Sequence, residues 1–160
     1  MRTTYFRNFI FGVEDSLVST VGLLSGVAIA GLERETILLT GVVLIFVEAF
    51  SMAAGSFLSE TSAEEFETKQ DAAHVHSAFA GVIMFFSYFV AGFIPLFPYL
   101  IFLGDTAFFA SIFVSVLALF VLGAVSGVFS RTSITKGALR MGVVGGIAVA
   151  VGVIVGSFLG

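Results

Sequence analysis

Five long apolar runs separated by short polar breaks constrain this chain more than any other feature. They cover roughly Asn8–Gly31, Thr36–Leu58, Ser77–Leu100, Thr106–Phe129 and Gly137–Leu159. Each has the roughly 20 predominantly apolar residues that a helix needs to cross the hydrocarbon core of a bilayer. No water is available there, so every backbone polar group must be satisfied internally, and a continuous apolar run does this as an α-helix. A membrane barrel would instead show short segments of alternating polarity, which are absent here. The expected fold is therefore all-α, an integral membrane bundle of five transmembrane helices. It forms one unit over residues 1–160, with a short acidic segment at 59–76. Composition agrees: 58% of the residues are hydrophobic and 11% charged, against about 45–50% and about 25% in soluble domains.

The N-terminus carries Arg2 and Arg7, an apolar run and the small-residue triplet Ala28-Ile29-Ala30, all features of a secretory signal. Glu14 and Asp15 interrupt that run, which a signal's apolar region does not tolerate, so the segment reads as a retained helix. With five spans, Arg2, Arg7, Lys69, Arg131, Lys136 and Arg140 fall on one side and only Arg34 on the other. The positive-inside rule then predicts a cytoplasmic N-terminus and an external C-terminus. The small size and lack of a transit segment favour a prokaryotic plasma membrane. Pro95 and Pro98 should bend or end the third span, leaving Gly104-Asp105-Thr106 as a tight turn.

Glycines recur at helix-packing spacing: Gly22/Gly26, Gly123/Gly127, Gly142/Gly146 and Gly152/Gly156/Gly160. Such faces let backbones approach closely. They fit either ordinary packing within one bundle or a homodimer contact.

Three acids lie inside the runs: Glu14, Asp15 and Glu48. A charge at the bilayer centre costs at least about 2.5–3.5 kcal/mol on insertion scales and marks a functional site by default. Glu14 points about 100° away from Asp15 and is placed against headgroups. Asp15 shares a face with Ser19, Gly22 and Gly26, and Glu48 with Met52, Gly55 and Ser59. At 1.5 Å per residue Asp15 lies roughly 10 Å into the first span. In the antiparallel second span Met52 falls at that depth and Glu48 one turn deeper. Two carboxylates and a thioether can thus converge. Oxygen ligands alone suit Mg²⁺ or Ca²⁺, whereas a soft sulfur favours a first-row transition metal. Taken alone, Met52 reads more readily as packing; its place beside two buried acids raises the ligand reading.

The one long polar segment joins spans two and three. Glu60, Glu64, Glu67, Asp71 and His74 are spaced as one face of a continuous helix extending span two, with Glu65 beside them. Such a stripe is commonly a solvated face. Like charges at helical spacing repel, however, and only Lys69 is nearby in sequence to offset them, which suits capture of a cation. His76 lies about 200° from His74 on a regular helix, so those two cannot share an ion.

Other chemistries are excluded more simply. The chain has no cysteine, so no thiolate ligand or nucleophile. No glycine-rich loop precedes a Lys-Ser/Thr pair at a helix start. Nothing suggests a nucleophile–base pair, and no basic patch suits nucleic acid. The chain reads as a non-enzyme without a resident cofactor.

Several segments are similar to those of the vacuolar iron transporter family. Residues 7–22, Arg-Asn-Phe-Ile-Phe-Gly-Val-Glu-Asp-Ser-Leu-Val-Ser-Thr-Val-Gly, resemble the family's Phe-Gly-x-x-Asp-Gly opening. Residues 48–55, Glu-Ala-Phe-Ser-Met-Ala-Ala-Gly, resemble its acid-x-x-Ser-Met-x-x-Gly motif. Ile94-Pro95-Leu96-Phe97-Pro98-Tyr99, Leu122-Gly123-Ala124 ahead of Arg131, and Gly145-Gly146 also fit. The resemblance spans nearly the whole chain. It implies a five-helix protomer, a homodimer with the path between subunits, and proton-coupled export of Fe²⁺ or Mn²⁺ from the cytosol. Asp15, Glu48 and Met52 would line that path, the same three residues selected by spacing. Ser16 stands where the family usually has glycine and Ser56 where many members have glutamate. Many members also carry a separate cytoplasmic metal-binding domain between spans two and three, here replaced by the acidic segment. The alternative function is a membrane scaffold or sensor that binds metal without moving it.

Overall fold

The computed structural model describes residues 2–69 and 74–160. They form five helices: α1 (Arg2–Ile29), α2 (Arg34–Thr68), α3 (Val75–Ile101), α4 (Gly104–Phe129) and α5 (Ile134–Leu159). All five are long and apolar enough to cross a membrane. They overrun the apolar runs at several ends, because hydropathy fades at the headgroups while backbone hydrogen bonding continues into water. α1 begins six residues earlier than expected. α2 extends ten residues past Leu58, carrying Glu60, Glu64 and Glu67 beyond the membrane on its own backbone.

Pro95 and Pro98 lie in the last turns of α3, which ends at Ile101, one residue past the expected bound. Neighbouring groups take up backbone atoms near the prolines, as transmembrane helices permit. Ser111 on α4 donates to the Pro95 carbonyl at 2.7 Å, and the Phe102 N–H to that of Pro98 at 2.8 Å. Gly104-Asp105-Thr106 is the first turn of α4 rather than a loop. Gly104 enters it at φ +56°, a left-handed conformation that costs glycine little. Arg34 reaches across from α2 to the last carbonyls of α3, Tyr99 at 2.7 Å and Leu100 at 2.6 Å, satisfying acceptors that a helix end leaves open.

α1 lies at the centre. It packs on α3 on one side and α5 on the other, with α2 outside α3 and α4 against α5. Of the apolar windows of α1 and α3, 44% is buried, against 17% for α5 and 22% for α2. The outer helices therefore turn Phe50, Phe109, Phe113 and Phe158 outward, a surface suited to acyl chains rather than water. Polarity is reversed inside, where Ser16, Thr20, Ser25, Ser111 and Ser115 are buried.

Small residues set the two closest crossings. α1 and α5 run parallel, with Gly22 and Gly26 stacked on Ala148, Gly152 and Gly156. A Cβ at Gly26 would sit 2.8 Å from the Gly152 carbonyl oxygen. At the antiparallel α4–α5 crossing, a Cβ at Gly137 would lie 2.6 Å from the Gly123 oxygen. These stripes pack within the protomer. Gly146 alone in its stripe faces open space. Gly152→Ala should accordingly destabilise the bundle by about 1–3 kcal/mol through overpacking, while Gly146→Ala should be neutral. Thermal unfolding in detergent checks this, and equal midpoints for the two variants would overturn the assignment.

Candidate metal path

The helices that carry the acids run antiparallel but touch each other little; α2 leans mainly on α3. Three interactions mark where they meet. Arg7 forms an ion pair with Glu60. One turn further in, the Asn8 amide donates to Ser56 Oγ at 2.8 Å. Deeper still, Asp15 and Glu48 interact electrostatically. On antiparallel helices the Arg7–Glu60 pair sets residue 15 of α1 against 52 of α2, and the Asn8–Ser56 bond sets it against 49.

Asp15 therefore falls between the levels of Met52 and Glu48, within electrostatic reach of Glu48, and Met52 lies about 6 Å nearer the Arg7 end than Glu48 does. There Met52 lines a groove of about 660 Å³ with Asn8, Phe11, Ser56, Ser59 and Met84. Met84 comes from α3 and is 3% exposed. Its Sδ would lie only 3.1 Å from a Cβ at Gly12, so that glycine makes its room. A second thioether therefore lines the groove, unsuspected because the third span lacked any acid to draw attention to it.

Tyr88 is the other unexpected member. It is the largest fully buried side chain. Its hydroxyl shares a 2.7 Å hydrogen bond with Ser19 Oγ, and its carbonyl accepts from Ser16 Oγ at 2.6 Å. The hydroxyl interacts electrostatically with both Asp15 and Glu48. Glu14 interacts electrostatically with Arg140 of α5 as well as with Asp15. That arginine lies inside the fifth span, where sequence reading had counted it only as a flanking charge.

On the other side of Glu60 is a second cavity of about 420 Å³, lined by Tyr5, Glu60, Glu64, Glu67, His76 and Ser77 among others. Glu60, Glu64 and Glu67 share it as their spacing predicts. His74 does not join them. α2 stops at Thr68, and both Lys69 and His74 adopt left-handed backbone at φ +56°, so the stripe is not one continuous helix. The His74 ring lies 6.1 Å from that of Phe57. His76 takes its place at the cavity, sharing a 3.3 Å hydrogen bond with the Tyr5 hydroxyl. Asp71 lies outside the described residues. Lys69 does not neutralise the stripe either: its Nζ sits 4.0 Å over the Phe66 ring. The counter-charge comes from Arg7, on a different helix.

Among the described residues, no three His, Asp or Glu side chains converge closely enough to hold one ion. Asp15 and Glu48 interact electrostatically across α1 and α2, and a coordination shell built on them would need sulfur, hydroxyl, water or a second copy of the chain.

With this geometry in view, the sequence profile of the VIT family matches residues 6–77 and 63–157. This chain belongs to the VIT family. Its members are membrane transporters of metal ions rather than enzymes, so an integral membrane protein that transports metal ions is the coarse description of this one. The two matched stretches overlap at 63–77, the end of α2 and the connection into α3, where the chain has only the short acidic segment. None of the curated proteins matches the chain in sequence.

Proposed function

We propose that this VIT-family chain is a homodimeric secondary transporter that moves Fe²⁺ or Mn²⁺ out of the cytosol in exchange for protons. The observation supporting this reading is the electrostatic coupling of Asp15 and Glu48 across antiparallel helices, beside a groove lined by Met52 and Met84 that shares Glu60 with an acidic vestibule. Glu60, Glu64 and Glu67, with His76, gather cation at the cytoplasmic mouth. Met52 and Met84 pass it inward. Asp15 and Glu48 hold it within the membrane. Metal ligands must be deprotonated, so protons and metal compete for the same oxygens, and that competition is the physical basis of exchange.

Two features support a dimer. The carboxylate pair is an incomplete ligand set within one protomer. α2, which carries half of that pair, is largely unburied along its apolar length. A copy of the chain against α2 would both cover that face and close the groove. The six-to-one division of basic residues supports a cytoplasmic N-terminus, and the cell's plasma membrane is the proposed location.

The test is metal flux into proteoliposomes carrying an internal pH dye, comparing Fe²⁺ and Mn²⁺ with Ca²⁺. Flux with opposite proton movement is the expected result. Binding without flux, in protein shown to be inserted and folded, would replace this reading with a scaffold or sensor. The thioethers make a separate expectation. Met→Leu exchange conserves volume and packing, yet removes a soft donor that favours transition metals. Met52→Leu and Met84→Leu should each reduce discrimination of Fe²⁺ over Ca²⁺ about tenfold, equivalent to about 1.4 kcal/mol. Unchanged discrimination in competition flux would return both methionines to packing.

A further inference from the structure

Glu60 occupies an unusual position: it lines both the outer vestibule and the inner groove, and Arg7, the residue paired with it, lines the groove. Glu60 is the residue the two cavities share, and Arg7 pairs with it there. The two partners differ in how firmly they are held. The Glu60 side chain is 23% exposed, whereas that of Arg7 is 67% exposed. Glu60 therefore stays near the passage while the guanidinium can swing away into water or headgroups.

We propose that the Arg7–Glu60 pair is a cation-operated gate, opened when a divalent ion in the vestibule displaces Arg7 from Glu60. The inference rests on the transport reading and adds its control at the cytoplasmic end. Displacement favours the incoming ion because a compact doubly charged cation attracts the carboxylate more strongly than a delocalised single charge does. Monovalent cations lack that advantage, so they leave the pair closed. Exposed ion pairs are weak and easily exchanged, which is what a gate requires and a permanent clasp does not. Once freed, Arg7 no longer places a positive charge at the mouth of the groove, and the ion meets Met52 and Met84 before Asp15. Neither partner belongs to the deep carboxylate pair, so altering the gate leaves that pair intact.

Three proteins test this: wild type, Arg7→Gln, and the charge swap R7E/E60R, each assayed for Mn²⁺ flux into proteoliposomes. Removing the competitor in Arg7→Gln should lower the KM for Mn²⁺ about two- to fivefold, the range expected from losing an exposed ion pair. The swap keeps an ion pair between the helices but places its carboxylate on α1 and an arginine on the vestibule wall. It should raise KM more than about tenfold, because a local acidic field concentrates cations by at least that factor. A clasp that only joins α1 to α2 makes the opposite demands: Arg7→Gln would raise KM and the swap would restore it. Either of those results overturns the gate. If Arg7→Gln fails to fold, the swap decides alone. Absence of flux in wild type would end the transport reading instead. Calorimetric Mn²⁺ affinities of the same proteins in detergent would then judge the inference, tighter binding by Arg7→Gln supporting it and equal or weaker binding refuting it.

Discussion

Asp15→Asn is expected to reduce metal flux more than about a hundredfold, while Asp15→Glu keeps a measurable fraction of it. Asparagine preserves the shape of the side chain but removes one of two negative charges offered to a doubly charged ion. With the ion bound, one of its two positive charges is then left without a counter-charge, and breaking an opposite-charge contact held away from water costs about 3–5 kcal/mol. That range corresponds to a loss of about two to three and a half orders of magnitude. Glu48→Gln should act alike, since Glu48 faces Asp15 in the same electrostatic field. The double variant D15N/E48Q should be little worse than either single one, because groups acting as a unit are not additive. Flux is measured in liposomes on protein shown by circular dichroism and gel filtration to be folded. Wild-type flux in Asp15→Asn would remove the carboxylate pair from the mechanism.

Much of this arrangement was legible in the sequence, for identifiable reasons. The five helices follow from lipid's demand for internal hydrogen bonding, which leaves a long apolar run no other conformation. Asp15 and Glu48 stood out because an acid in such a run needs an explanation. The rest depended on which faces meet. Glycine spacing identifies a close-packing face but not its partner, so Gly22 and Gly26 could not be assigned to Gly152 and Gly156 without coordinates. Arg7 lies far in sequence from the acidic stripe it partly neutralises, and spacing along α2 alone made that repulsion look unrelieved. The exchange of His74 for His76 has a sharper cause. A face projected at 100° per residue holds only while the helix continues, and α2 stops at Thr68. Nothing in residues 60–76 marks that stop as glycine or proline would; Lys69 and His74 adopt the left-handed conformations themselves.

Tyr88 separates what holds the site from what acts in it, and its two truncations should differ widely. Tyr88→Ala is expected to cost about 3–5 kcal/mol, the usual range for deleting a large aromatic ring from a core. The ring is 0% exposed, and it packs where α1, α2 and α3 come together. Its backbone carbonyl already holds Ser16, so the cavity would open directly beside Asp15. Tyr88→Phe keeps that volume and deletes only the hydroxyl. The direct cost is one hydrogen bond to Ser19, about 1 kcal/mol, and the fold should persist. If the hydroxyl orients the carboxylates or supplies an oxygen to the ion, flux should still fall about tenfold, in the range found when groups supporting a metal site are removed. Unfolding in detergent gives the first quantity and liposome flux the second. A Phe variant with normal stability and reduced flux makes Tyr88 part of the ion's path. One with normal stability and normal flux leaves the hydroxyl as a satisfied core group, and the deep site as two carboxylates alone.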